Sequence, residues 1–264
     1  MPDRCHINAV LQARKTNYHL TGNGHCVVFL HGYMEDHRIW LPVTGIINGY
    51  SVLLPDLPGS GKELMPENTD AIEFMADVVH ELVLHLGFKR YSVVGNSMGG
   101  YVAFRLIKKH GGFIDKTILL STNPFPDTGK DRKRRLREIA LLRSGRKDLI
   151  FKFFINSLED QFKELYKDMA EKIPSANLIS LQTGMMKRPD NTDVFLDPSM
   201  PVYYMSGDDD KLIPLNRIKE LLERSPKVIS AKEEQATHFL VVEKPEVAGK
   251  FILDSLEQNL HINS

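Results

Sequence analysis

The sequence is poor in several features, and each scarcity excludes something. Cys5 and Cys26 are the only cysteines among 264 residues. Two are too few for a disulfide framework, so a reduced setting and a fold held by its own core are expected. Neither sign of charge predominates: 34 Lys and Arg balance 34 Asp and Glu. That removes the broad basic field of a nucleic-acid or anionic-membrane binder. No apolar run approaches the ~18 residues of a membrane-spanning helix. The opening stretch MPDRCHINAVLQARK lacks the apolar centre of a secretory signal. A cytoplasmic protein with no membrane and no nucleic-acid partner is the expectation. Internal repeats, low-complexity tracts and the dinucleotide fingerprint G-x-G-x-x-G are also missing.

What is present is a regular alternation. Hydrophobic residues make up 42% of the chain, enough for one large α/β domain. Short apolar runs stand at Cys26–Leu30, Tyr50–Leu54, Tyr91–Val94, Thr117–Leu120, Pro201–Met205 and Lys227–Ser230. Helical patterns separate them. One such pattern spans about 70–86, with Ile72, Met75, Val79, Leu82 and Leu86 in one stripe. Asp70 and Glu73 suggest a capping box there, and Gly87 a stop. Strands alternating with helices imply a mostly parallel central sheet with helices on both faces. Residues 124–200 lose the strand-like runs and read as a helical cap insertion. Residues 1–123 and 201–264 then form the core domain. In such a sheet, ligands bind beyond the carboxyl ends of the strands.

Three motifs come close to other chemistries and fail. His80-Glu81-Leu82-Val83-Leu84-His85 has one residue too many for a helical zinc pair, since spacing five sets the histidines about 140° apart. Pro58-Gly59-Ser60-Gly61-Lys62 suggests a phosphate loop, but Asp56 and Glu63 stand where Gly and Ser or Thr are required. No metal and no nucleotide cofactor are expected. The basic run Asp131–Arg137 reads as a solvated cap helix whose apolar side is Leu136, Ile139 and Ala140; attraction of anionic substrates is a minor alternative.

Gly95-Asn96-Ser97-Met98-Gly99 matches the nucleophile-elbow pattern G-x-S-x-G. It follows the strand-like Tyr91–Val94 and opens a helical pattern from Tyr101, the context that such an elbow needs. A nucleophilic serine needs a base and an orienting carboxylate. Asp208, Asp209 and Asp210 follow the Pro201–Met205 run, and His238 follows the next. Ser, Asp, His is the order expected for this kind of sheet.

These segments together resemble the α/β-hydrolase superfamily, in its capped form. The resemblance rests on His31-Gly32, Asp56-Leu57-Pro58-Gly59-Ser60-Gly61, the Ser97 elbow, Gly207-x-x-Asp210 with Pro214, and His238 before Glu243-x-Pro245, and covers nearly the whole chain. It implies Ser97 as nucleophile and His238 as base. It selects Asp210 over its neighbours as the orienting acid, leaving Asp208 and Asp209 as loop carboxylates. It implies the backbone N–H groups of Tyr33 and Met98 as the oxyanion hole. His31 itself reads as structural, its ring bonding neighbouring loops to fix that turn. Lys62 and Glu63 depart from the family's G-x-S at the loop after Asp56.

The implied activity is hydrolysis of a small, fairly hydrophobic ester or related acyl substrate through an acyl-enzyme. Thioesterase, C–C hydrolase, aminopeptidase or cofactor-free peroxidase chemistry on the same residues, or silent binding of a small ligand, are the alternatives. Ile150, Phe151, Phe154, Ile155 and Leu158 give the cap an apolar face. Phe125, Phe154, Met185 and Phe239 are the candidate pocket residues, and an apolar roof would favour uncharged acyl groups. Nothing in the sequence specifies an oligomeric state.

Overall fold

Eight strands form one sheet: β1 (Arg4–Leu11), β2 (Arg14–Gly22), β3 (His25–Leu30), β4 (Tyr50–Pro55), β5 (Tyr91–Asn96), β6 (Ile114–Leu120), β7 (Val202–Gly207) and β8 (Val228–Glu233). The computed structural model describes residues 4–11, 14–233 and 235–258. The strand order is β1-β2-β4-β3-β5-β6-β7-β8. β1 and β2 run antiparallel at one edge, and β4 onward is parallel.

The apolar runs become strands because both sheet faces are covered. Side chains alternate between two cores. Val28, Leu30, Leu53, Val93, Leu119 and Tyr204 face one. Val27, Phe29, Leu54, Val94, Leu120 and Tyr203 face the other. On the first face lie α2 (Ala71–His85), α3 (Met98–His110) and α9 (Leu215–Glu223). On the second lie α10 (Leu240–Glu243) and α11 (Pro245–Glu257), against which the short α1 (Leu41–Thr44) packs.

All six expected runs are strands. The β1–β2 hairpin was not anticipated, although the buried Thr16 and Tyr18 flank the exposed Asn17 in period two. Asp70 caps α2 by accepting from the N–H groups of Ile72 and Glu73. The capping box stays open, because Glu73 turns instead to Arg105 and Lys109 of α3. Gly87 takes φ +86°, the left-handed stop that its position suggested. Gly111 does not act that way; at φ −53° it leads through a 3-10 turn into β6.

Between β6 and β7 the chain is helical: α4 (Gly129–Arg143), α5 (Lys147–Ile155), α6 (Asp160–Glu171), α7 (Ser175–Lys187) and α8 (Asp193–Leu196). Asn177 of α7 ties this stretch to the loop beyond β4. Its Oδ1 accepts from Met65 N–H at 3.0 Å, and its Nδ2 donates to the carbonyls of Gly61 and Glu63. At the far end, Phe195 of α8 packs on Phe104 and Tyr204 in the sheet's first core. Among the described residues, no helix is long and apolar enough to cross a membrane.

Candidate active site

The carboxyl ends of β3, β5 and β7 and the loop after β8 converge on Ser97. This residue is the turn between β5 and α3, at φ 52° and ψ −114°. Such a conformation costs roughly 1–3 kcal/mol for a non-glycine residue, and close packing holds it. A side chain at Gly99 would put its Cβ 2.1 Å from the Leu30 carbonyl oxygen, so only glycine lets α3 sit this close to β3. Ser97 N–H donates to Leu120 O, and Thr122 Oγ1 donates to Ser97 O. The N-terminus of α3 directs its dipole at the serine.

His238 comes to Ser97 from the loop beyond β8. A Cβ on Gly207 would stand 2.2 Å from Ala236 O, so a glycine at the end of β7 lets that loop approach. Thr237 anchors it, donating from N–H and Oγ1 to the two carboxylate oxygens of Glu243. His238 Nε2 lies 2.8 Å from Ser97 Oγ, and its Nδ1 lies 2.8 Å from Asp210 Oδ2. Asp210 is itself held, its Oδ1 accepting from Leu212 N–H and Ile213 N–H. An ionised carboxylate can only accept, so Nδ1 carries the proton and Nε2 faces the serine as an acceptor. Burial alone would lower the His238 pKa. The charge and hydrogen bond of Asp210 and the charge of Glu35 outweigh it, and the net shift is upward. In its neutral form His238 can take the Ser97 proton, and the upward shift makes it the stronger base.

The neighbouring aspartates stand apart. Asp208 accepts from Gln235 N–H, and Asp209 pairs with Lys211. His31 is a loop clasp: its Nε2 accepts from Leu57 N–H, so its Nδ1–H donates to Gly32 O at 2.9 Å. Among the described residues, the N–H groups of Tyr33 and Met98 have no hydrogen-bond acceptor. Gly32 lies against Ser97, since a Cβ there would be 3.3 Å from Ser97 Cβ.

Sequence reasoning missed Glu35. Its carboxylate is buried beside Gly32, accepting from Gly32 N–H at 2.5 Å, Tyr166 O–H at 3.1 Å and Asn96 Nδ2 at 3.4 Å. Tyr166 belongs to α6, so this carboxyl joins the loop after β3 to the helical stretch between β6 and β7. Burial pushes its pKa up to about 7, against the pull of Gly32 N–H, His238, Tyr166 and Asn96. The fold therefore keeps this proton to about pH 7, while an unfolded chain releases it near 4.5. Between those values the native state binds the extra proton, and stability falls as pH rises, by about 3 kcal/mol for this group. Glu35→Gln removes the effect. The Tm of the variant relative to wild type is expected to be several degrees higher at pH 8.5 than at pH 5. An equal difference at both pH values would refute it.

The four candidate pocket residues divide into two groups. Phe154 and Phe239 pack with Tyr166 in an aromatic cluster, with centroids 5.4–5.8 Å apart, and Phe239 stands edge-on to the His238 ring. Phe125 and Met185 border buried charges, and this corrects the expectation of an apolar roof. Arg135 is 4% exposed, so it is not a solvated member of its basic run. Ile139 and Leu142 continue its stripe, whereas Leu136 is 53% exposed and Ala140 also faces out. The helix is turned so that Arg135 occupies the inward position expected of Leu136.

Two near-motifs are also accounted for. His80 bonds Tyr91 O–H and stacks on His110 at 3.8 Å. The Pro58–Lys62 loop borders a cavity of about 450 Å³ that Ser97 and His238 do not line. At its edge Asp36, His37 and Asp56 bring three possible metal-ligand atoms within 4.8 Å of one another. These groups are already engaged, His37 with Asp56 at 2.8 Å and Asp36 in a fork with Arg38.

Comparison with known proteins identifies the family and the fold. The model of the alpha/beta hydrolase family matches residues 27–248, and the chain belongs to that family. A thermophilic esterase from Thermogutta terrifontis superposes with a TM-score of 0.84 at 26% identity, over 95% of this chain and 97% of the esterase. A soluble epoxide hydrolase from Corynebacterium sp. is 30% identical over 120 residues, 45% of this chain and 42% of that protein. That match thus spans less than half of the epoxide hydrolase. The AB hydrolase superfamily protein YisY of Bacillus subtilis is 25% identical over 228 residues, 78% of this chain and 84% of its own.

Proposed function

We propose that the protein is a serine hydrolase that cleaves small ester-type substrates through an acyl-enzyme. The observation that carries this reading is His238 suspended between Asp210 and Ser97 at 2.8 Å on either side. Ser97 Oγ attacks the substrate carbonyl while His238 Nε2 takes its proton. Asp210 holds the resulting imidazolium. The tetrahedral oxyanion accepts from the free N–H groups of Tyr33 and Met98, each such donor being worth roughly 3–4 kcal/mol. Collapse expels the leaving group, which His238 protonates, and leaves an acyl ester on Ser97. Water then attacks that ester with His238 as base, releasing the carboxylic acid and restoring the serine. The elbow offers a hydroxyl, so an intermediate on an acidic elbow residue is not available to this chain.

The esterase likeness supports ester bonds over the other acyl chemistries. The test is labelling by a fluorophosphonate together with turnover of 4-nitrophenyl butyrate. One equivalent of probe is expected on the peptide holding Ser97, with turnover abolished in proportion. A protein that neither takes the probe nor cleaves the ester would be a binder, not a hydrolase.

A further inference from the structure

The helical stretch between β6 and β7 holds a surplus of buried positive charge. Asp127 is sequestered between two guanidiniums. Arg135 of α4 donates from Nε at 2.6 Å, and Arg188, just past α7, donates from Nη1. Both arginine side chains are 5% exposed and the Asp127 side chain 1%. Two cations against one anion leave one positive charge inside the protein. An uncompensated buried charge is costly and calls for a counter-ion.

The nearby carboxylates supply it only in part, since Glu138 acts on Arg135 electrostatically but is shared with Arg134. Glu138 bonds Gln182 and pairs with Arg134, and burial pushes its pKa upward against the pull of Arg134 and Arg135. Gln182 spends its oxygen on Arg135 Nη1 at 2.9 Å. Asp131 closes the α4 capping box with Thr128. Arg188 Nη2 makes no hydrogen bond among the described residues.

This surplus borders the reacting centre. The Arg188 guanidinium lies 4.2 Å over the ring of Tyr101, one helical turn beyond Ser97 on α3. Its Nε donates to Phe125 O, and Arg217 covers the Phe125 ring at 3.8 Å. Arg134 is near enough to oppose the protonation of His238. Tyr33, the residue proposed to hold the oxyanion through its backbone, has a buried phenol oxygen whose neighbour is Gln182, without a well-aligned hydrogen bond. Glu138, Arg135 and Arg134 all act on that phenol electrostatically.

We infer that the missing counter-ion is part of the substrate. The preferred ester carries a carboxylate at the far end of a short acyl chain. The chain lies along Tyr101, Phe125 and Met185, and the carboxylate meets the Arg135–Arg188 pair and the Tyr33 phenol. This rests on the serine-hydrolase reading and names its substrate class. The reaction is ordinary hydrolysis: water and the monoester give the alcohol and the dicarboxylate, with one proton released.

The test compares monoethyl glutarate, a carboxylate near neutral pH, with its neutral counterpart ethyl pentanoate, each followed by proton release. Wild type is expected to favour the glutarate ester in kcat/KM by tenfold or more, mainly through KM. Tyr33→Phe, which removes one hydroxyl, is expected to lower that ratio at least threefold. Arg135→Met should bring it to one or below, and if that variant fails to fold, the Tyr33→Phe ratio decides. A wild type that cleaves ethyl pentanoate at least as well as the glutarate ester overturns the inference and leaves the hydrolase reading intact. Failure on both esters, with Ser97 refusing the fluorophosphonate, would overturn the hydrolase reading itself.

Discussion

Ser97→Ala is expected to lower kcat for 4-nitrophenyl butyrate by a factor of about 10⁶, since removing a nucleophilic serine from such a site disables the residues that act with it. The substitution deletes only Oγ. The Cβ that sits at φ 52° is retained, as are the backbone bonds from Ser97 N–H to Leu120 O and from Thr122 Oγ1 to Ser97 O. The elbow should therefore keep its shape, and thermal melting should move by only a few degrees. His238 loses its 2.8 Å contact with Oγ but keeps Asp210. A variant that melts normally and has lost turnover and probe labelling together makes Ser97 the nucleophile. One that retains more than about 1% of kcat would mean that another group attacks the carbonyl.

The parts of this molecule legible in the sequence are those whose physical demands are local. β3, β5 and β7 are buried on both faces, so each reads as a continuous apolar run. The elbow reads as G-x-S-x-G because the steric clash that excludes a side chain at Gly99 arises within the strand–turn–helix unit and its adjacent strand. The choice of Asp210 among three consecutive aspartates is different. It depends on which carboxylate faces His238, 28 residues away, and only the resemblance to a family could supply it.

What the sequence hid depends on distant packing. Glu35 and Tyr166 meet across 131 residues, and no local pattern marks a glutamate as buried beside Gly32. Arg135 was concealed by its company. Arg132, Lys133, Arg134 and Arg137 are all exposed, and the pattern that would have separated it, Arg135-Ile139-Leu142, places a cation on an apolar stripe. That reading makes sense only once Asp127 and Gln182 are seen opposite it. The same residue thus sets the helix register and carries the substrate class that we infer. For Tyr33 the sequence points only to the backbone N–H, and the burial of its phenol is visible only in the folded chain.

Asp210→Asn should cost about 10⁴ in kcat with the fold intact, and the surrounding hydrogen bonds dictate why. Leu212 N–H and Ile213 N–H both donate to Oδ1, so the asparagine carbonyl must take that place. Its NH₂ group is then left facing His238 Nδ1. An NH₂ group can only donate, so Nδ1 must become the acceptor and the ring proton moves to Nε2. His238 then presents N–H to Ser97 and cannot take the serine's proton, although every heavy atom stays within its present position. Loss of the carboxylate also removes the main charge that raises the His238 pKa against burial, so the acid limb of the residual pH–rate profile should move to lower pH. Asp208→Asn and Asp209→Asn, whose carboxylates serve Gln235 N–H and Lys211, should stay within about twofold of wild type, as surface changes of this kind usually do. A loss below tenfold in Asp210→Asn, or an equal loss in either neighbour, would show that the histidine is oriented by something other than the 2.8 Å bond to Asp210.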